Sequence, residues 1–386
     1  MHVGKGIFLQ NFGDPRQDHE VFARELSLAD RAETAGFQSL WVAEHHFGGY
    51  HMCPNVAQLL TYLAARTHNV RLGSMVVVLP WHEPLRVAEE LSVLDHLSAG
   101  RLLLGLGRGL GRVEFDGFRL DMSDSRDRFV EYAQAIVGAF DTGYMTGLGP
   151  LYRQAPVQVR PSPLSPLRGR VYASAVSPAS MEIMASLGFG VMVIAQKPWE
   201  TTVAEVRTYH DRFVELNGQP PPRPLLVSFV AVHESEGAAA QLYERYLVRY
   251  ASSTVDHYEF ANRGLAEVPG YEYYGKLADN IERHGVDRFA RFLADLQVHG
   301  TPGQVADHIV ENVRRLDAAG VIAVLSFGGM DDNTAQANQE LFANAVLPRL
   351  RCIDGGREIA SAPEAAGGFG ETREGGIRRS AAPASS

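Results

Sequence analysis

A glutamate and two adjacent histidines follow a short apolar run near residue 41. The stretch Trp41–Phe47 reads Trp-Val-Ala-Glu-His-His-Phe, and its apolar part is typical of a buried strand. An imidazole exchanges protons near neutral pH, and a neighbouring carboxylate can orient its ring. This stretch is therefore the strongest local indication of acid–base chemistry.

The same region also offers metal ligands. A zinc site would draw on His45, His46, His51 and Cys53. Adjacent residues on a strand point to opposite faces, so His45 and His46 are poorly placed to bind one ion. We expect no metal here, and a purely structural pair of histidines is the other interpretation left open.

A glycine-rich turn follows a later apolar run. Residues Leu104–Gly111 read Leu-Gly-Leu-Gly-Arg-Gly-Leu-Gly; glycines let a backbone approach a cofactor, and Arg108 offers a guanidinium to a phosphate. The turn lacks the dinucleotide-binding pattern, because position 110, where that pattern requires glycine, is leucine. A turn that only requires small residues is the alternative.

Two further strand ends carry candidate ligand contacts. Ser177 and Ser180 precede a helical pattern, where serine hydroxyls either cap the helix or help its free N–H groups to bind a phosphate. Gly328 and Gly329 follow the last apolar run and leave room for a planar or phosphorylated cofactor. A simple turn explains the two glycines equally well.

Eight apolar runs rich in β-branched residues alternate with stretches of helical spacing. Runs this apolar indicate strands covered on both faces, as in parallel βα units. We predict an α/β fold, a (β/α)8 TIM barrel formed by a single domain over residues 1–350, in preference to an open doubly wound sheet. The predicted strands are Val3–Leu9, Ser39–Ala43, Arg71–Leu79, Leu102–Leu106, Val171–Ala175, Gly190–Ala195, Leu225–Val232 and Val321–Ser326.

Three segments exceed a minimal barrel. Gly143–Arg170 carries five prolines and is predicted to be a long loop with extended stretches. Residues 235–297 form an insertion after the seventh strand, interpreted as a lid or substrate wall, with a packing subdomain as the alternative. Residues 351–386 lack an apolar period and are predicted to be a disordered tail. The insertion is rich in aromatic residues, namely Tyr258, Phe260, Tyr271, Tyr273 and Tyr274.

Composition excludes several classes of protein. The chain has 386 residues, is 45% hydrophobic and carries a net charge of −9, which argues against nucleic acid or an anionic membrane as a partner. The two cysteines, Cys53 and Cys352, form no CxxC pair, and no leader or membrane-spanning run is visible. These features predict a cytoplasmic protein.

Taken together, the motifs resemble the bacterial luciferase-like flavin monooxygenases over about residues 1–350. The resemblance is carried by Trp41–Phe47, by Arg71–Arg101, by Leu104–Gly109 and by Thr301–Asp307. The Glu-His-His tripeptide favours the FMN-using, oxygen-activating branch over the deazaflavin (F420) reductases of the same superfamily.

The resemblance assigns roles to single residues. It implies that His45 is the catalytic acid or base, with Glu44 as its neighbour. Gly107 departs from the light-emitting luciferase subunit, which has a cysteine there, so we expect a reaction without light emission. The implied cofactor contacts are Arg108, Ser177 and Ser180 at the flavin phosphate, Ser74, Met75 and Val76 against the isoalloxazine ring, and Glu114 at an acidic position after the glycine–arginine turn.

The implied reaction oxidises an apolar organic substrate with O2 through a hydroperoxide on flavin carbon 4a, and His45 hands on protons. FMN would arrive already reduced, as FMNH2, from a separate NAD(P)H:flavin reductase, and the protein is expected to be a homodimer. Two alternatives stay open, an F420-dependent oxidoreductase of the same superfamily and a non-catalytic flavin-binding protein.

Overall fold

Eight parallel strands close into a barrel in the computed structural model, which describes residues 1–174 and 177–353. The first strand pairs with the second and the eighth, and the seventh pairs with the sixth and the eighth, so the sheet has no open edge. The predicted TIM barrel is therefore confirmed. In chain order β1–β8 are His2–Ile7, Ser39–Val42, Arg71–Ser74, Leu102–Gly107, Val171–Ser174, Gly190–Ile194, Leu225–Val232 and Gly320–Val324.

Two short strands extend this sheet. Val77–Val78 continues the path of β3 along β4, after a cis peptide bond between Met75 and Val76. Val298–Gly300 pairs in parallel with the end of β7. The carboxyl ends of the barrel strands thus meet at one rim, where loops gather functional groups.

Helices cover the outside of the barrel. The helix Pro84–Leu97 begins with a proline, and Glu83 caps it by accepting a hydrogen bond from the Arg86 N–H. No helix of the described ranges is long and apolar enough to cross a membrane. The α-helices outside the insertion are Asp18–Asp30, Ala32–Ala35, Val56–Ala64, Pro84–Leu97, Arg112–Phe118, Ser125–Thr142, Pro178–Leu187, Trp199–Asn217, Pro302–Arg315, Asp332–Leu341 and Leu347–Arg351.

Side chains of β2 alternate between two parts of the core. Leu40 and Val42 pack with apolar residues of the surrounding helices, whereas Trp41 belongs to the cluster that contains Phe229 and the residues beneath the insertion. A Cβ on Gly73 would lie 2.2 Å from the Trp41 ring. Glycine at that position is therefore what lets β3 lie beside this buried tryptophan.

The proline-rich segment Gly143–Arg170 is more regular than predicted. Tyr144–Leu148 and Arg153–Gln158 form a two-stranded antiparallel hairpin with an irregular register between Met145 and Gly147. A strand containing Pro156 is tolerated because a two-stranded hairpin leaves half of its N–H groups without a sheet partner. The predicted extended stretches are thus two paired strands, and the rest of the segment has no regular secondary structure.

The insertion after β7 is largely helical. Glu236–Leu242, a π-helical turn over Tyr243–Leu247 and Val248–His257 form one continuous helix. A 3-10 helix, Arg263–Glu267, and the helices Tyr273–His284 and Val286–Asp295 complete it. The predicted tail, from residue 354 onward, lies outside the described residues.

A buried ion pair joins the helix Pro84–Leu97 to the start of β5. The Arg170 Nη1 lies 3.0 Å from Asp95 Oδ1, and both side chains are almost fully buried. The same nitrogen donates to the Leu102 carbonyl at 3.3 Å, so the pair also fixes the start of β4.

Removing one member of this pair should destabilise the barrel. Asp95→Ala leaves a buried guanidinium without its counter-ion, and we expect the free energy of unfolding in urea to fall by about 3–5 kcal/mol. The matched control is Glu182→Ala, because the Glu182–Arg212 pair is exposed and such pairs contribute less than about 1 kcal/mol. Equal losses in the two variants would contradict this expectation.

Candidate active site

A cavity opens at the carboxyl ends of the barrel strands, with the insertion forming one of its walls. It brings together most of the residues that the sequence analysis singled out. Among the described residues, Ser74, Gly328 and Gly329 do not line it. The predicted residues that do line it are Glu44, His45, Met75, Val76, Arg108, Glu114, Ser177 and Ser180.

His45 pairs with a carboxylate from another element. Its Nδ1 lies 2.8 Å from Oε1 of Glu114, which stands in the first turn of the helix Arg112–Phe118. The backbone N–H of His46 donates to the same oxygen at 3.0 Å. Glu114, assigned to the cofactor by the resemblance, is thus the carboxylate that orients the His45 ring.

The insertion contributes two more groups to this cluster. The His257 Nε2 lies 3.2 Å from the His45 Nδ1, and the Tyr258 hydroxyl lies 3.2 Å from the His45 Nε2. Tyr50 stacks on the His257 ring at a centroid distance of 4.2 Å. Side chains from the segment after β2, from the helix after β4 and from the insertion therefore meet at the His45 imidazole.

Burial sets the protonation of this cluster. It lowers the pKa of His45 to about 3 and that of His257 to about 4, because a charged imidazole loses its hydration there. It raises the pKa of Glu114 to about 7 for the same reason. At neutral pH both imidazoles are uncharged and the Glu114 carboxyl is close to its titration point.

Glu44 has different partners. Its Oε1 lies 3.0 Å from the His46 Nε2 and 2.6 Å from the His82 Nε2, and its Oε2 accepts from the Val78 N–H at 2.9 Å. Burial opposes ionisation, but these hydrogen bonds hold the pKa of Glu44 below its ordinary value. Glu44 is an ionised group that lines the cavity without orienting His45.

The four residues considered for a zinc site do not converge. Both ring nitrogens of His51 bond to backbone groups, Nδ1 accepting from the Leu9 N–H at 2.8 Å and Nε2 lying 3.0 Å from the Ala43 carbonyl oxygen. The Cys53 thiol faces the Asn55 carbonyl at 3.7 Å. A different trio, His45, Glu114 and His257, has its potential metal ligands within 4.8 Å of one another.

A cationic corner occupies another side of the cavity. Arg108 donates from Nη1 to the Gly270 carbonyl at 2.8 Å and lies 3.8 Å above the centroid of the Tyr271 ring. Arg126 donates to the same carbonyl at 3.2 Å and also lines the cavity. Two guanidinium groups are thus held side by side by one loop of the insertion.

The two serines face the same cavity from the start of the helix Pro178–Leu187. Ser177 is the N-cap residue: its Oγ accepts from the Ser180 N–H at 3.2 Å and lies 2.9 Å from the Ser180 Oγ. The capping role and a contact with the cavity therefore coexist. The two serine hydroxyls at this helix start and the two guanidinium groups together form a suitable site for a phosphate.

The same cavity has an apolar part, here called the apolar slot. Met75, Val76 and Gly107 line it. A Cβ on Gly107 would lie 2.3 Å from a Val76 methyl group, so glycine is required for β4 to lie this close to Val76. Such a slot accepts a flat, largely apolar ring.

Ser74 and the turn that contains Gly328 and Gly329 make contacts that join elements of the fold. The Ser74 hydroxyl donates to the Gly105 carbonyl and accepts from the Gly105 N–H, both at 2.8 Å. Gly328 has a φ of 63°, and a Cβ there would lie 2.2 Å from the Tyr246 carbonyl oxygen. These contacts join β3 to β4 and pack the turn after β8 against the insertion.

Among the aromatic residues predicted for the insertion, Tyr258, Tyr273 and Tyr274 line the cavity. Phe260 stacks between Tyr258 and Tyr274, at 5.5 and 5.7 Å. The Tyr271 hydroxyl instead donates to the Gly109 carbonyl at 2.8 Å. The set is thus part cavity wall and part support.

Comparison with known proteins fits this geometry. A sequence model of the luciferase-like monooxygenase family matches residues 1–319. The chain belongs to this family.

Among luciferase-like monooxygenases, the chain is 24% identical to the alkanal monooxygenase alpha chain of Photorhabdus luminescens over 351 residues, covering 90% of this chain and 97% of that protein. It is 26% identical to limonene 1,2-monooxygenase of Rhodococcus erythropolis over 334 residues, covering 85% and 81%. The resemblance inferred from the motifs is therefore confirmed.

Solved structures share the barrel. A monooxygenase from Streptomyces bottropensis superposes with a TM-score of 0.72 at 25% identity, covering 90% of this chain and 99% of that one. The oxygenating constituent of 3,6-diketocamphane monooxygenase from Pseudomonas putida was solved with FMN. It superposes with a TM-score of 0.69 at 18% identity, covering 90% of this chain and 98% of that one. An F420-dependent secondary alcohol dehydrogenase superposes with a TM-score of 0.65 at 16% identity, covering 91% of this chain and 99% of that one. The last two demonstrate the shared fold.

The buried Glu114 carboxyl should make stability depend on pH. Its pKa rises from 4.5 in the unfolded chain to about 7, so its contribution is full below the unfolded-state value and lost as pH rises through about 7. Glu114→Gln does not titrate. Relative to wild type, the variant should therefore gain free energy of unfolding in urea between about pH 5 and about pH 8. The exposed Glu182→Gln is the control, and a pH-independent difference for Glu114→Gln would refute the shift.

Proposed function

We propose that this protein is an oxygen-activating monooxygenase that uses reduced FMN and O2 to oxidise an apolar organic substrate. One observation carries the proposal: a single cavity joins a phosphate-binding corner, an apolar slot and an imidazole oriented by a carboxylate. The family membership supports the same class of reaction.

The described residues fit FMN. Arg108, Arg126, Ser177 and Ser180 would hold the phosphate, and the slot formed by Met75, Val76 and Gly107 would take the ring. When bound, reduced FMN supplies the electrons that activate O2. The predicted cofactor roles of Ser74, Gly328 and Gly329 have no support from the cavity lining.

His45 is proposed to move the proton. In the proposed tautomer Nδ1 carries the hydrogen and donates it to Glu114, which leaves Nε2 as the acceptor atom beside the Tyr258 hydroxyl. Glu114 fixes this tautomer and stabilises the imidazolium that forms when Nε2 takes a proton. Glu44 holds His46 and His82 and thereby the chain on either side of the site.

The insertion is proposed to exclude water and to select the substrate. Tyr258, Tyr273 and Tyr274 face a cavity whose other walls include Phe229 and Met192. Such a lining favours a bulky apolar molecule, and a closed, apolar site protects reactive oxygen species from water.

Three expectations extend the proposal beyond the single chain. Because no GxGxxG pattern occurs in the sequence, a separate NAD(P)H:flavin reductase would supply FMNH2. A homodimer and a cytoplasmic location are proposed from the family likeness and from the acidic, cysteine-poor composition.

Reduced FMN should drive O2 uptake coupled to product formation. The assay supplies chemically reduced FMN, 18O2 and a panel that contains alkanals and limonene, the substrates in the names of two relatives. We expect one 18O atom per product molecule. His45→Ala should lower product formation by about 10²–10⁴-fold and leave FMN binding nearly unchanged, because His45 lies outside the phosphate corner.

The matched control for this experiment is His299→Ala, since His299 lies on the short strand beside β7 and does not line the cavity. Turnover of reduced or oxidised F420 without O2 uptake would reject the proposal and identify a dehydrogenase. Normal product formation by His45→Ala would remove the acid–base role alone.

Arg108→Ala should weaken FMN binding. Loss of one charge-assisted hydrogen bond costs about 1.5–3 kcal/mol, which corresponds to a Kd about 10- to 100-fold higher in a fluorescence titration. Arg212→Ala, on an exposed helix surface, is the control and should bind FMN like wild type. An unchanged Kd for Arg108→Ala, together with a lower melting temperature, would show that Arg108 only holds the Gly270 loop.

A further inference from the structure

Three ligand atoms from three chain segments face one another beside the cavity. The His45 Nδ1 lies 2.8 Å from the Glu114 Oε1 and 3.2 Å from the His257 Nε2. The third side of this triangle, from the His257 Nε2 to the Glu114 Oε1, measures 3.7 Å. Two imidazoles and a carboxylate are a common ligand set for zinc.

The triangle has the size of a metal site. A circle through three points with these separations has a radius of about 1.9 Å. An ion slightly above its plane would therefore lie about 2.0–2.1 Å from all three atoms, the usual Zn–N and Zn–O distance.

A second observation points to a cation. The Glu114 side chain is completely buried, and its Oε2 has no hydrogen-bond partner among residues 1–174 and 177–353. A buried carboxylate oxygen with no such partner lacks the hydrogen bond or counter-ion that buried charges normally have. A cation bound at Oε1 would compensate the charge, because a carboxylate shares its charge between both oxygens.

Neighbouring groups hold the ligands in place. The His46 N–H donates to the Glu114 Oε1, Tyr258 contacts the outer nitrogen of His45, and Tyr50 stacks on His257. Outer contacts of this kind orient metal ligands and strengthen binding. The site is therefore already assembled around the three atoms.

We propose that His45, Glu114 and His257 form a binding site for a divalent transition-metal ion such as Zn²⁺, which inhibits the enzyme. The ion takes the lone pair of the His45 Nδ1, the imidazole proton moves to Nε2, and the Tyr258 oxygen accepts it as a hydrogen bond. His45 then has no nitrogen free to take a proton. The inhibition rests on the proposed function, whereas ion binding does not.

The test is a calorimetric titration of the full-length, flavin-free protein with Zn²⁺. We expect one equivalent to bind. His257→Asn and Glu114→Gln should each weaken binding by more than the ~10–100-fold that loss of an outer partner costs. His299→Asn and Cys53→Ala, which leave the trio intact, should bind like wild type. Thermal melting checks that each variant is folded, and Glu114→Gln has nearly the shape of the native side chain.

A second measurement locates the ion. Anomalous diffraction from crystals soaked in Zn²⁺ should show a peak between the three ligand atoms. No stoichiometric binding, a peak elsewhere or equal affinity in His257→Asn would overturn the site. In the 18O2 assay, Zn²⁺ should lower product formation. Removal of the ion with a chelator should restore it. Binding without inhibition would overturn the inhibitory role, and binding without any oxygenase activity would reject only the proposed function.

Discussion

The hydrogen bond between His45 and Glu114 determines how the candidate site is assembled. A carboxyl group that is fully buried loses its hydration, so its pKa rises to about 7, and only a close donor offsets that cost. The donors come from the segment after β2, whereas Glu114 itself stands on the helix after β4. The two loops are therefore tied together beneath the insertion, whose His257 completes the cluster.

The cationic corner, formed by Arg108 and Arg126, likewise depends on contacts between segments that are far apart in the chain. Arg108 follows β4 and Arg126 begins a helix, yet both guanidinium groups are held by one carbonyl of the insertion, that of Gly270. Without that carbonyl, two positive charges would stand close together with no shared acceptor. The barrel thus supplies the charged groups, and the insertion fixes their positions.

The strands were predictable from the sequence because both faces of each barrel strand are covered. That constraint produces apolar runs such as Leu225–Val232, whose eight residues are all buried. Prolines indicated extended chain over residues 144–158 but gave no sign that two of its stretches pair as a hairpin, because a two-stranded hairpin tolerates proline without requiring it. The position of His45 at a strand end was equally accessible from local pattern.

The partners of His45 were not accessible in this way. Glu114 lies 69 residues from His45 in the chain, and His257 lies 212 residues from it. No local spacing records such a contact; only the closure of the barrel and the docking of the insertion create it. For the same reason Arg126, an ordinary arginine in the first turn of a helix, gave no signal.

Gly270 and Tyr271 belong to the segment that also supplies the aromatic wall of the cavity. Tyr271 lies under the Arg108 guanidinium and bonds to the turn after β4, while Tyr273 and Tyr274 face the cavity. Under the proposed function, one segment would therefore govern both substrate range and cofactor retention. A chimaera that exchanges this insertion for that of a homologue would then have to conserve residues 270 and 271 to keep its flavin.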